Sequence, residues 1–475
     1  MKTVRMLIAL LLALVVMQGV VLTAAAQGPA GTWASGIQVR NLSDTTTANI
    51  SIEFYGAVGT QWAGQLVCTH NDTIPAKQSK TYYVPSHITC LPDNFVGSAV
   101  VSSDQPVAAI LQTTRVTTGT EFKRMGSASG VDAPATKMYA PYLRKNYYGR
   151  NSYIAVQNTT NASAMVTVKY YKADGTYDSD ADETLTIPAY SSAIVYQDAN
   201  ANLDDGFYGS AVIDGGSAPL AVVVNNANAG TAGDITKSGF ESYNGMSSGA
   251  TKQYIPKMTV NYYDYQSSFT MQNIGTAAAT MTATFKFPGG QTFTKVSNPI
   301  APNSSWPVYL ASETQSGITA GFSGSGSATV VSDQPVVGLA TEVNNSRGFS
   351  IVWNTFGEGS GTDTIVFPKF TRNYSQYNGG IQIQNVGDQA TTIIATFSGC
   401  AGDVTVQSPA PVAPGESVFW FATAVAGLCD NLNGSVVVTN DNGAGGSEPI
   451  VGVYTERNDD TTKGDTYTAY TGMNK

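Results

Sequence analysis

One strand-like string recurs four times along this chain, and any fold proposed for it has to accommodate that recurrence. Ile37-Gln38-Val39-Arg40-Asn41, Ile154-Ala155-Val156-Gln157-Asn158, Phe269-Thr270-Met271-Gln272-Asn273 and Ile381-Gln382-Ile383-Gln384-Asn385 end on asparagines spaced 117, 115 and 112 residues apart. Two further markers keep the same phase. Gly-Ser, an apolar run and a proline appear at Gly97-Ser98 to Pro106, Gly209-Ser210 to Pro219, Gly326-Ser327 to Pro335 and Gly434-Ser435 to Pro449. Pro-x4-Asn-Tyr appears at Pro141, Pro256 and Pro368, with each motif asparagine 12 residues before its strand asparagine. Glycine pairs (Gly126/Gly130, Gly245/Gly249, Gly357/Gly361) mark the unit ends, and Gly472 stands at the matching point near the last residue.

Each unit reads as β structure. Val166, Val168 and Tyr170 alternate with Thr167, Lys169 and Tyr171; Met281, Ala283 and Phe285 do the same, as do Ile393, Ala395 and Phe397. That period of two belongs to a strand with one buried face. Asp174-Gly175, Pro288-Gly289-Gly290, Asp104-Gln105-Pro106 and Asp333-Gln334-Pro335 supply turns between strands. Seven or eight short strands in about 112 residues is the size of an immunoglobulin-like sandwich. The expected fold is all-β, with four tandem sandwiches at 27–130, 131–250, 251–361 and 362–475 after a leader at 1–26. The expected arrangement is a string, in which each terminal unit has one neighbour.

The leader is read from Lys2 and Arg5, an apolar run from Met6 to about Leu22, and the small residues Ala24-Ala25-Ala26, with cleavage placed before Gln27. An uncleaved membrane anchor is the competing reading. Loss of the leader would take the net charge from −9 to −11 and remove the strand that should open the first unit, making it a shortened cap. The acidic balance argues against a nucleic-acid partner. The predicted address is extracellular or cell-surface, with no integral membrane segment after cleavage.

The Val-Gln-Asn strand, the Ile187-Pro188-Ala189 and Ala301-Pro302 turns and the Gly-Ser-Ala-Val strand resemble the tandem immunoglobulin-like repeats of secreted bacterial cell-surface proteins. In style they are similar to the cell-adhesion-related modules of bacterial exoproteins and envelope proteins. The resemblance implies a spacer, adhesin or envelope component, and its motifs mark a fold rather than an activity.

Chemistry-bearing residues are few. Gly245-Met246-Ser247-Ser248-Gly249 matches a nucleophile elbow, but it is a glycine-rich unit end, and both histidines lie in the first unit. Cys68 and Cys90, and Cys400 and Cys429, fall pairwise within the first and last units, so two local disulfides are expected. A tetrahedral zinc set of Cys68, His70, His87 and Cys90 is the alternative in the first unit. Asp178, Asp180 and Asp182 crowd a hairpin; a solvated loop is preferred there to a calcium site, because the calcium-loop glycine and late glutamate are missing. No metal or cofactor is assigned.

The repeated tyrosines are the best hint of a ligand. Asn146, Tyr147 and Tyr148, then Asn261, Tyr262 and Tyr263, then Asn373, Tyr374 and Tyr377 hold equivalent places. Flat rings beside amides suit sugars; the plainer reading puts these tyrosines in the seams between successive sandwiches. The strand-ending asparagines read as Asx turns. The function expected from the sequence is a non-catalytic structural or adhesive surface array whose partner is a cell-envelope or extracellular polymer or protein. A polysaccharide-binding array using the Asn-Tyr motifs is the alternative, and a glycan-active enzyme stands third.

Overall fold

The computed structural model describes residues 18–22, 31–84, 86–116, 122–228, 234–460 and 462–474. The chain is all-β, with 61% of residues in strands and 3% in helices. Burial follows the alternation in the sequence. In Ala48–Gly56, Ile50, Ile52 and Phe54 are buried between Asn49, Ser51 and Glu53. Met281–Phe287 and Thr392–Ser398 repeat the pattern.

Consecutive stretches of chain each fold into two antiparallel layers. In the second stretch, one layer runs Lys137–Lys145, Phe207–Asp214, Ala164–Lys172, Tyr177–Ile187, and the other Ser192–Tyr196, Arg150–Asn158, Leu220–Asn228, Phe240–Asn244. The same chain order governs the first and fourth stretches. In the third, one 21-residue strand, Gly324–Asn344, serves both layers. Its first part pairs with Ala250–Val260 and Met281–Phe287, its second with Gln266–Asn273 and Phe349–Asn354. The strand-ending asparagines form Asx turns as expected: the Oδ1 atoms of Asn41, Asn158, Asn273 and Asn385 accept from the backbone N–H two residues on.

The expected string is wrong, because the first and last stretches touch. Gln38 Nε2 donates to Pro368 O at 2.7 Å, Arg40 bonds to Ser435, and Gly464-Asp465 pairs in parallel with Lys123-Arg124. Ile110 of the first stretch lies in the apolar core of the fourth. Four strands near the ends of the stretches, Lys123–Ser129, Phe240–Asn244, Phe349–Asn354 and Thr468–Thr471, meet in a round. Asn244 donates to Ser129 O (2.7 Å) and Asn354 to Asn244 O (2.6 Å). Phe349 packs on Tyr467 at 5.7 Å, and Thr468 donates to Ser127 (2.7 Å). A string would leave each of these edge strands open on one side, and closure covers all four. Gly126 permits the approach, since a Cβ there would lie 2.8 Å from the Phe240 ring and against the Ser242 hydroxyl.

Most of the expected leader, including the cleavage site before Gln27, lies outside the described residues. Gln18–Leu22 form a strand antiparallel to Gly97–Ser103, with Leu22 opposite Ala99. Residues of the expected leader thus occupy the place of an opening strand in the first stretch. An apolar β-branched run beside an unpaired edge has both the propensity and the partners to do so. Among the described residues, no helix is long and apolar enough to cross a membrane.

Candidate functional site

The Gly-Ser marker builds the seams. Ser98 donates to Tyr190 O (3.1 Å), Ser210 to Asn303 O (2.8 Å) and Ser327 to Gly415 O (2.7 Å), each reaching the next stretch. Ser435 completes the set by accepting from Arg40. The acceptor residues have left-handed backbones, with φ of 56°, 63° and 78°. The marker glycine lets the neighbouring strand lie close: a Cβ at Gly97, Gly209 or Gly326 would meet backbone oxygen at 2.1 Å.

Buried ion pairs lock the same seams. Lys369 and Glu456 of the fourth stretch are 2.7 Å apart and share Gln112 of the first, at 3.3 Å from each. Thr371 donates to the other Glu456 oxygen at 2.7 Å, so both oxygens are satisfied. Lys257 and Glu342 hold the equivalent places in the third stretch. Tyr467, from the fourth, donates to the same Glu342 oxygen as Lys257, at 2.5 Å. Glu342 Oε2 is buried without a partner. Burial pulls the Lys257 ammonium below its ordinary pKa, against the opposing pull of Glu342. Where all four stretches converge, Arg150 bonds Glu241 (2.6 Å) and Ser350 (3.0 Å), and buried Asp465 accepts from Phe240 N at 2.8 Å.

Beside Lys257 and Glu342 opens a cleft of about 920 Å³ between the third and fourth stretches. The third contributes Tyr262, Tyr263, Phe287 and Phe322; the fourth contributes Phe419 and Phe421, which stack with ring centroids 6.4 Å apart. Arg457 lies over the Phe421 ring at 5.1 Å and donates to Tyr265 Oη at 2.7 Å. Arg347 also lines the cleft and has no hydrogen-bond or ion-pair partner among the described residues. Glu342 is the one carboxylate among the lining residues.

The sequence-predicted residues distribute unevenly around this cleft. Asn146, Asn261 and Asn373 begin tight hairpins with φ of 48°, 47° and 50°, a left-handed conformation that asparagine tolerates. Four of the six tyrosines at those tips are exposed rather than packed into seams. Tyr148 is 86% exposed and Tyr263 75%, with Tyr262 and Tyr374 also exposed. Tyr147 and Tyr377 are partly buried, Tyr147 against Tyr208 of its own stretch at 4.9 Å. Only Tyr262 and Tyr263 of the set line the cleft.

Cys68 bonds Cys90 and Cys400 bonds Cys429. This overturns the zinc alternative: His70 packs on Tyr82 at 5.4 Å, and His87 turns its Nδ1 to Tyr83 N and Thr81 O. Asp178, Asp180 and Asp182 are not in a loop but in the strand Tyr177–Ile187. There Asp178 lies 3.8 Å from Lys172 and Asp182 accepts from Tyr177; among the described residues no carboxylate, histidine and cysteine cluster is placed to hold a metal. Ser247 lies in the connection between Phe240–Asn244 and Ala250–Val260. Sequence reasoning missed the buried pairs, although Pro256-Lys257 recurs as Pro368-Lys369 and Thr341-Glu342 as Thr455-Glu456.

No family model matches the chain. No curated protein sequence matches it. Among solved structures, the chain is similar to "Crystal Structure of Thermotoga maritima 1070" at 22% identity and a TM-score of 0.20, over 24% of this chain and 97% of that one. A GH78 family rhamnosidase of Bacillus sp. GL1 gives 10% identity and a TM-score of 0.11, over 66% of this chain and 53% of that one. Likenesses at these TM-scores carry no argument about fold or function.

Proposed function

We propose that the chain is a non-catalytic, exported structural or adhesive component. In this reading it is built from four immunoglobulin-like sandwiches with boundaries near 27–130, 131–250, 251–361 and 362–475, closed into a ring. The observation that carries the reading is the use of buried charge. Lys257–Glu342, Lys369–Glu456 and Arg150–Glu241 are committed to partners, and hydrogen bonds from their groups cross between stretches. Side chains that could act as acid or base are therefore holding sandwiches together. Two disulfides are compatible with an oxidising, extracellular location. A secreted scaffold resembling the tandem repeats of bacterial surface proteins fits these features.

A second reading, polysaccharide binding, is favoured by the exposure of Tyr148 and Tyr263, which leaves flat rings facing solvent. A glycan-active enzyme is less well supported, since hydrolysis usually needs two carboxylates flanking one bond and the cleft offers Glu342. The test combines localisation and turnover. Antibody labelling of the producing cells is expected to find the protein in the medium or at the surface. Purified protein incubated with a panel of polysaccharides is expected to release no reducing ends. Retention in the cytosol, or reducing-end release abolished by Glu342→Gln, would overturn the reading.

A further inference from the structure

Three properties of the cleft between the third and fourth stretches together specify a ligand. Its volume of about 920 Å³ lies within the range of about 300–1,000 Å³ typical of pre-formed binding sites. Its rim carries aromatic rings that a folded protein ordinarily buries: Tyr263 is 75% exposed, Phe419 45% and Tyr262 44%. Rings of this kind offer apolar, flat faces to the C–H faces of sugars.

The second property is an unmet hydrogen bond. Glu342 is fully buried, and its Oε2 has no donor. A buried carboxylate oxygen left unpaired costs about 1–3 kcal/mol or more. In the fourth stretch the equivalent glutamate, Glu456, has both oxygens satisfied. Glu241 Oε2 of the second stretch is also buried without a partner, but of these two unpaired oxygens only that of Glu342 belongs to a residue lining the cleft, where a ligand hydroxyl would fill the vacancy.

Charge is the third. Among the lining residues, Lys257, Arg347 and Arg457 face one carboxylate, Glu342, in a protein whose net charge is −9. Lys257 is committed to Glu342, and Arg457 is shared with Tyr265 and, at 3.9 Å, with Asp459. Arg347, whose charge is felt by Tyr265, makes no hydrogen bond or ion pair among the described residues, and a guanidinium suits carboxylate or sulfate bidentately.

We propose that this cleft binds an acidic glycan: its sugar rings lie on Tyr263, Phe419 and Phe421, a hydroxyl donates to Glu342 Oε2, and its carboxylate or sulfate groups sit on Arg347. The proposal deepens the polysaccharide-binding reading and confines it to one seam, where the sequence distributed it over three motifs. It does not depend on the structural role, since Tyr263, Phe419 and Arg347 make none of the seam bonds described above.

Affinity electrophoresis tests it, using gels containing pectate, alginate or chondroitin sulfate and control gels containing dextran or hydroxyethylcellulose. The protein is itself acidic, so general charge attraction would not slow it in the acidic gels. The expected result is retardation in at least one acidic gel and none in the neutral gels. Tyr263→Ala and Phe419→Ala should each weaken the retardation at least tenfold, and Arg347→Gln should do so without changing the melting temperature. Tyr148→Ala, the counterpart of Tyr263 in the second stretch, should leave it unchanged. No retardation in any gel, equal retardation in the neutral gels, or an equal effect of Tyr148→Ala would overturn the proposal while leaving the closed scaffold intact.

Discussion

The seams that follow the third and fourth stretches start from the same parts and end differently. Each has a lysine after a proline on its opening strand and a glutamate after a threonine on a later strand, Gly324–Asn344 in the third and Ile450–Asn458 in the fourth, pairing Lys257 with Glu342 and Lys369 with Glu456. Where the fourth stretch meets the first, Gln112 enters from the neighbour, Thr371 takes the second carboxylate oxygen, and the pair is saturated. Where the third meets the fourth, Tyr467 shares the oxygen already held by Lys257, the other oxygen stays free, and the space beside it is a cleft. One ion pair is thus a closed fastening in one seam and the floor of an opening in the other. Neighbouring side chains, more than the pair itself, decide whether both carboxylate oxygens of a buried pair are satisfied.

The strongest way to break this comparison is to remove each glutamate. Glu456→Ala strands Lys369 in a filled seam and should cost about 3–5 kcal/mol. Glu342→Ala should cost at least as much, because Lys257 is more buried than Lys369 and keeps only the Tyr467 hydroxyl, whereas Lys369 keeps Gln112. Guanidine denaturation of the two variants measures the difference, and a clearly smaller loss for Glu342→Ala would mean that the cleft solvates its floor.

Next in size are the disulfides. Closing loops of 22 and 29 residues contributes about 3–4 kcal/mol each on the chain-entropy model. A terminal unit of an open string would melt alone once its staple was gone. With the first stretch bonded to both neighbours, Cys68→Ala/Cys90→Ala should lower the midpoint yet keep one calorimetric transition. A separate early transition would show that Gln38, Arg40 and the pairing at Gly464 do not hold the closure.

The seam serines should have smaller effects. Ser98→Ala, Ser210→Ala and Ser327→Ala each remove one hydrogen bond to the next stretch, worth about 0.5–1.5 kcal/mol. Similar losses at all three, read from denaturation midpoints, would show that the cleft does not weaken the serine contact of its own seam.

The smallest effect concerns pH. Burial pushes the Asp465 carboxyl well above its ordinary pKa, against opposing hydrogen bonds from Phe240 N and Tyr467 N and the charge of Arg150. A carboxyl raised in the folded state holds a proton that the unfolded chain has lost, so its favourable contribution is complete below about pH 4 and declines as pH rises toward the raised value. Asp465→Asn does not titrate, but its single amide oxygen can accept from only one of the two N–H groups, so it should melt below the parent near pH 4, with the gap narrowing toward pH 7. A gap that widens toward pH 7 would mean that Arg150 holds the carboxylate ionised.

The sequence revealed what alternation and turn chemistry encode locally. Ile50, Ile52 and Phe54 gave their strand through a period of two, and Asn41 and its three counterparts gave Asx turns because their acceptors lie two residues away. Closure was not legible. Lys123–Ser129 contains Gly126, Ser127, Ala128 and Ser129, a run of small residues that reads as a turn because its packing partner lies more than a hundred residues distant. The cleft was hidden for the same reason: Lys257 and Glu342 are 85 residues apart, and Phe419 and Tyr263 belong to different stretches. Tyr262 and Tyr263 were singled out by recurrence, but recurrence could not distinguish them from Tyr148, which lies outside the cleft.

Closure of the chain on itself underlies both seams, and small-angle X-ray scattering of the chain from Gln27 onward tests it most directly. A closed arrangement of about 450 residues should give a radius of gyration near 22 Å with a single compact distance distribution. A value of roughly twice that, with a distribution tailing to long distances, would show a string of units and contradict the account.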